Sequence, residues 1–178
     1  MDEKTLKTER IYTGRIFNLD LVDVELPDGK QQKREVVRHP GATALVAVDD
    51  QQNILLVRQY RIASERILSE IPAGTLKVGE PPDVCAVREL QEETGYKPGK
   101  LESLGGFFVA PGYTTEYIHL FLATELVESR LPGDEDEFIQ VDRVTLSQAL
   151  TMIEQGNIVD AKTIIGLMRF ARQSNSVG

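Results

Sequence analysis

The chain reads as a single α/β domain in which a mixed β-sheet lies between helices. Three observations lead there. Short runs rich in β-branched and apolar residues recur along most of the sequence, one central stretch carries helix signals between two glycines, and two amphipathic helical patterns close the chain. At 178 residues and 41% apolar content, the chain is long enough to bury a core and too apolar to remain disordered.

The elements follow in order. Residues 11–14, 17–26 and 35–38 have strand character, and Pro27-Asp28-Gly29 has the residues of a hairpin turn. Residues 42–48 and 54–59 are apolar strands joined by the polar segment 49–53. Strand character returns at 101–109 and 117–124. Ser147 is placed to cap the first C-terminal helix, with Ala149, Leu150 and Ile153 on its apolar face and Gly156 as its stop. Asp160 is placed to cap the last, whose apolar face holds Ile164, Ile165, Leu167, Met168 and Ala171. No internal repeat or long linker interrupts this order. Residues 1–40 form an N-terminal strand segment and residues 41–178 the main domain.

Charge and cysteine usage exclude several classes. A net charge of −8 argues against binding a nucleic-acid polymer, which needs a basic surface. Cys85 is the single cysteine, so no internal disulfide forms, and its place on the small-residue side of a helix reads as packing rather than nucleophilic chemistry. The first residues are charged and lack the apolar core of a signal peptide, and no run approaches the ~18 apolar residues of a membrane span. The expectation is a cytoplasmic protein that does not engage a membrane.

The most informative stretch is residues 74–96, GTLKVGEPPDVCAVRELQEETGY. Pro81 and Pro82 suit the first turn of a helix, and Gly95 suits the left-handed position past its end. Val84, Val87 and Leu90 mark an apolar face, and at about 100° per residue Glu89, Glu92 and Glu93 fall roughly opposite. Glu89 neighbours Glu92 at i+3 and Glu93 at i+4, and each like-charge pair destabilises an isolated helix by about 0.2–0.5 kcal/mol. A hard divalent cation reverses that sign, and oxygen-only ligands select Mg²⁺, Mn²⁺ or Ca²⁺ over zinc. Three glutamates on a helix are more often a solvated acidic face. The added presence of Arg88, Glu80 and the two flanking glycines favours the metal site.

Gly74, Glu80, Arg88-Glu89-Leu90, Glu92-Glu93 and Gly95 at these spacings resemble the Nudix box, with Tyr96 where the family usually has an aliphatic residue. The resemblance implies an α/β/α sandwich with a mixed sheet, the box forming loop, helix and loop, preceded by the N-terminal strands. It implies a Mg²⁺-dependent hydrolase of a nucleoside diphosphate linked to another group, with Mn²⁺ as the alternative ion. Three stretches look like the ADP-ribose pyrophosphatase branch: Ala110-Pro111-Gly112, Gln59-Tyr60-Arg61 followed by Glu70-Ile71-Pro72-Ala73-Gly74, and the acidic run Asp134-Glu135-Asp136-Glu137. The implied products are AMP and ribose 5-phosphate. The rival substrates are another nucleoside diphosphate sugar or a dinucleotide, such as GDP-mannose, ADP-glucose, FAD or NADH. A non-catalytic ADP-ribose sensor is disfavoured by the intact box.

By the same resemblance, Glu89, Glu93 and the carbonyl of Ala73 are metal ligands, with Glu137 an additional one. Glu92 stands beside them, Arg88 orients the carboxylates, and Glu80 ties the approach loop to the helix. Glu135 is the general base. Arg61, with Arg58 near it, meets the phosphates. Glu116 meets the terminal ribose, Arg34 and Glu35 meet the adenine, and Pro111 marks the branch. For Arg58, Glu116, Arg34 and Glu35 an ordinary surface role is equally compatible with the residues. The branch also implies a homodimer built by the N-terminal strands. His39 and His119 receive no role, and His119 is expected in the core.

Overall fold

The structure, a computed structural model, describes residues 1–133 and 138–174. It divides into two compact units: residues 1–41 with 108–117, and residues 42–107 with 118–178.

The first unit is built on a three-stranded antiparallel sheet. Strands β1 (Lys4–Thr13), β2 (Asn18–Glu25) and β3 (Gln31–Arg38) pair in sequence order. The β2–β3 hairpin turns on Gly29, whose φ of 83° is open to glycine at little cost, and Leu26 and Lys30 close it by a hydrogen bond of 2.8 Å. Strand β1 is exposed along its whole length and carries Leu6, Ile11 and Tyr12. It begins at Lys4, well before residue 11, and its charged first half lacks the apolar alternation that would mark a half-buried strand in the sequence. The 108–117 turn joins this unit through Val37, which accepts from Thr115 N–H at 3.0 Å and donates to Tyr113 O at 2.8 Å.

The second unit is the α/β core. Strand β4 (Ala42–Ala47) is its centre and is buried throughout. Strands β5 (Asn53–Arg61), β6 (Arg66–Glu70) and β7 (Ala73–Thr75) precede α1 (Pro82–Thr94). Strands β8 (Tyr96–Phe108), β9 (Tyr117–Glu128) and β10 (Gln140–Thr145) follow, then α2 (Leu146–Glu154) and α3 (Ala161–Ser174). The strands form two sheets, β7-β4-β9-β8, in which β4 and β9 are parallel, and β10-β5-β6. Alternation along β4 sends Ala44 and Val46 into one cluster with Ile71, Leu120, Ala149 and Leu167, and Leu45 and Ala47 into another with Leu55, Ala86 and Leu90. Helices α2 and α3 therefore cover one face and α1 the other. Fully burying a side chain such as Leu90 contributes about 1.5–3 kcal/mol.

Several expectations need correction. Thr145, not Ser147, caps α2, through a reciprocal capping box with Gln148, so the helix begins with Leu146, before the apolar residues that mark its face. Asp160 does cap α3, accepting from Thr163 N–H at 3.0 Å. Strands β6, β7 and β10 were not anticipated, since Arg66–Glu70 and Ala73–Thr75 are too short and Gln140–Thr145 too polar to announce themselves. His119 is half-buried on the face of β9 opposite Ile118 and Leu120, rather than in the core.

The largest correction concerns α1. Its buried residues are Cys85, Ala86, Leu90, Glu93 and Thr94, and Val84 is 52% exposed. Small residues at 85 and 86 let the helix lie close to the sheet, and this rotates it away from the face the valines suggest. The glutamates are consequently not opposite the buried face. Glu93 belongs to it, and Glu89 lies along its rim.

Candidate active site

The approach to α1 is fixed by β7, which pairs antiparallel with β4 through Ala42–Thr75, Thr43–Gly74 and Ala44–Ala73. The Ala73 N–H donates to Glu93 Oε2 at 3.0 Å. Gly74 is required for a different reason: a Cβ there would overlap the carboxylate of Glu89. Past the helix, Gly95 takes φ 81° and returns its N–H to Gln91 O, the left-handed cap expected of it.

Arg88 is the hub of the charged cluster. Its Nε and Nη2 donate to Glu80 Oε1 and Oε2 at 2.8 and 3.0 Å. Its Nη1 donates to Glu89 Oε1 at 2.5 Å and to Glu92 Oε2 at 2.8 Å. Glu80 also accepts from Lys77 N–H at 2.9 Å, which ties the approach loop to the helix. Hydrogen bonding to Arg88 lowers the Glu80 carboxyl to about 2, and the same carboxylates raise Arg88 above its ordinary value. Cys85 is fully buried beside them, and burial pushes its thiol up to about 11. It accepts a weak hydrogen bond from Thr43 Oγ1 at 3.6 Å, as a packed rather than reactive thiol would.

A second cluster forms around Glu70, which is 1% exposed. Arg61 Nε and Nη2 donate to its two oxygens at 2.8 Å each, and Lys162 Nζ donates to Oε2 at 2.5 Å. Lys162 also pairs with Asp160 at 3.1 Å. Hydrogen bonding to Glu70 raises Arg61, and the charge of Glu93 acts in the same direction, so Arg61 lies within electrostatic reach of the box. Glu70 enters the sequence argument only within the stretch Glu70-Ile71-Pro72-Ala73-Gly74, and Lys162 not at all. A single carboxylate ahead of Ile71-Pro72 gives no sign of being buried until its two cations are located.

The structure thus brings Ala73, Arg88, Glu89, Glu92 and Glu93 together beside the helix, with Arg61 in reach of Glu93. Arg58 is tied instead to β10, donating to Gln140 Oε1 at 2.6 Å and pairing with Asp142 at 3.2 Å. In the first unit, Arg34 pairs with Glu3 at 2.6 Å, Glu35 and Pro111 are exposed, and Glu116 is half-buried after the 110–114 turn. Glu135 and Glu137 lie outside the described residues.

The donor set fits a hard divalent ion in chemistry: Glu93 and Glu89 bring carboxylate oxygens to the 73–75 backbone from α1, Arg88 there is bonded to carboxylates, and the one sulfur on that face, Cys85, is buried with its thiol against the Gly74 and Thr75 carbonyls. The contact of the Glu89 carboxylate with Gly74 leaves room for nothing larger than glycine at the point where backbone and carboxylates meet. Among the described residues no three acidic, histidine or cysteine side chains make a closed metal cage. Arg88 holds Glu89 and Glu92 by one nitrogen.

Comparison with known proteins agrees with this geometry. A family model described as "NUDIX domain" matches residues 37–165, and one described as "Nucleoside diphosphate sugar hydrolase N-terminal domain" matches residues 3–37. The chain is 48% identical to an ADP-ribose pyrophosphatase of Bacillus subtilis, covering 92% of this chain and 89% of the relative. It is 47% identical to a methanol dehydrogenase activator of Bacillus methanolicus, covering 93% and 91%. The fold matches a crystal structure of an ADP compounds hydrolase with a TM-score of 0.88 at 24% identity, covering 100% of this chain and 97% of that one. A glycine-bracketed helix of this charge pattern, on this sheet, within a family match that spans most of the chain, makes the protein a member of the Nudix hydrolase family.

Proposed function

We propose that the protein hydrolyses ADP-ribose to AMP and ribose 5-phosphate in the presence of Mg²⁺. The observation that carries this reading is the box itself: Arg88 gathers Glu80, Glu89 and Glu92 while Glu93 sits on the Ala73 backbone, an arrangement of carboxylates beside one loop that suits a metal-bound diphosphate. The choice of ADP-ribose is supported by the relative bearing that substrate in its name at 48% identity over most of both chains.

Glu89, Glu93 and the Ala73 carbonyl would hold the ion, with Glu137 as a further ligand. When bound, the ion neutralises the diphosphate and lowers the pKa of water. Arg88 keeps the helix carboxylates aimed at the loop, and Glu92 is positioned with them. Arg61 offers its guanidinium to phosphate oxygens, while Arg58, three residues earlier on β5 and bonded to Gln140 and Asp142, does not share that role. Glu135 removes the proton from the attacking water. Glu116 contacts the terminal ribose, and Arg34 and Glu35 contact the adenine. Residues 1–40 form a dimerisation segment in a homodimer, a reading supported by the fully exposed strand β1 with its apolar Leu6, Ile11 and Tyr12. No helix among the described residues is long and apolar enough to cross a membrane. We place the protein in the cytoplasm, acting on a small molecule rather than on nucleic acid.

The test is a substrate panel with purified protein and Mg²⁺: ADP-ribose, ADP-glucose, GDP-mannose, FAD, NADH and 8-oxo-dGTP. ADP-ribose is expected to be turned over with the highest kcat/KM. Preference for GDP-mannose would move the reading to another nucleoside diphosphate sugar, and preference for 8-oxo-dGTP would overturn it.

A further inference from the structure

We propose that Glu70 is the positioning residue for Arg61, and that the first turn of α3 locks Glu70 in place through Lys162. The reading rests on Arg61 meeting substrate phosphate, as proposed above.

The geometry is that of a mount. Glu70 is almost completely buried, whereas the Arg61 side chain is 41% exposed. The bidentate grip uses Nε and Nη2, and among the described residues Nη1 has no hydrogen-bond partner. A carboxylate that takes one edge of a guanidinium fixes the plane of the other edge, which then meets an anion without losing rotamer freedom on binding. A purely structural ion pair does not require one partner to stay open to solvent.

The mount is closed by a polar circuit. Lys162 Nζ bonds Glu70 and pairs with Asp160. Asp160 Oδ2 accepts from the Thr163 N–H and from its hydroxyl at 2.5 Å. The Thr163 hydroxyl oxygen, fully buried, accepts from the Ile71 N–H at 2.8 Å, and Ile71 follows Glu70 in the chain. The circuit therefore begins and ends on the segment that leads through Pro72 to Ala73. It ties the start of α3 to the same stretch of backbone that carries the proposed metal carbonyl. Deeper in the helix, a Cβ at Gly166 would lie 2.9 Å from Ile71 Cδ1, so α3 is held close to this segment by packing as well.

The experiment measures kcat and KM for ADP-ribose in Arg61→Ala, Glu70→Asp, Glu70→Gln and the Arg61→Ala/Glu70→Gln double variant, with thermal melts of each. Glu70→Asp keeps the charge and shortens the reach by one methylene, so it serves if Glu70→Gln does not fold. The expected result is a KM raised about tenfold in either Glu70 variant with a smaller change in kcat. In the double variant KM should equal that of Arg61→Ala alone, because a residue acting through Arg61 has no effect once Arg61 is gone. An unchanged KM in Glu70→Asp, or a further rise in the double variant, overturns the positioning role. An unchanged KM in Arg61→Ala overturns the substrate contact on which it rests. Failure of the wild-type protein to hydrolyse ADP-ribose, seen before any variant is made, overturns the function instead.

Discussion

The two charged clusters of the core are built to opposite charge ratios. Around Arg88, one guanidinium is shared by three carboxylates, those of Glu80, Glu89 and Glu92. Around Glu70, one buried carboxylate is shared by two cations, and Asp160 balances the second. The first group carries excess negative charge beside the 73–75 backbone, a composition that suits the hard cation proposed there. The second is neutral among its own members and needs nothing added, which suits a support. Exposure follows the same division of labour: Glu80, Arg88 and Glu89 are only 11–17% exposed, while Arg61 is 41% exposed. Where anions exceed cations, the cluster keeps a net negative charge. Where they balance, the cluster holds one side chain still.

The largest expected effect lies next to the unbalanced cluster, at Glu93 on the Ala73 backbone. Glu93→Gln should lower Mg²⁺-dependent hydrolysis by more than about 100-fold while far-UV circular dichroism stays native. Mg²⁺ should raise the melting temperature of the wild-type protein, since a ligand that binds only the native state stabilises it, and should leave that of Glu93→Gln unchanged. Full turnover by the variant would remove the metal role from Glu93. Next, Gly74→Ala should cost about 10- to 100-fold in kcat, because the new methyl displaces the Glu89 carboxylate without changing any charge. Wild-type kcat in that variant would mean the carboxylate position is immaterial.

The balanced cluster should respond in stability instead. Lys162→Met removes a cation from a buried carboxylate that Arg61 still holds, so a loss of about 1–3 kcal/mol is expected in urea unfolding. No loss would show that the pair offsets only its own desolvation. The smallest effect concerns acid. The Glu80 carboxyl is lowered in the folded state to about 2, so its contribution is complete above the unfolded value near 4.5 and disappears as pH falls towards 2. Glu80→Gln should therefore flatten the loss of stability between about pH 4.5 and 2. An acid limb as steep as that of the wild type would place that loss in other carboxylates.

The contrast also explains what the amino-acid pattern could reveal. The box was readable because its glycines, arginine and glutamates lie close together on one loop and helix, so spacing alone brings them into contact. The α/β layering was readable from apolar runs such as Ala42–Ala47. The rotation of α1 was not, because it depends on how closely Cys85 and Ala86 allow the helix to approach the sheet, a property of both surfaces. The Glu70 mount was hidden for a similar reason. Its members at 61, 70, 160 and 162 are joined by tertiary packing and not by local period.

Cys85 gives the chain a built-in clock. Its thiol is fully buried under α1, and burial keeps it protonated at neutral pH, so an alkylating reagent can reach a thiolate only when the helix lifts from the sheet. With no second cysteine to confuse the signal, the labelling rate of the native protein tracks the population of that open form while reclosing is fast, and the opening rate itself once reagent outpaces reclosing.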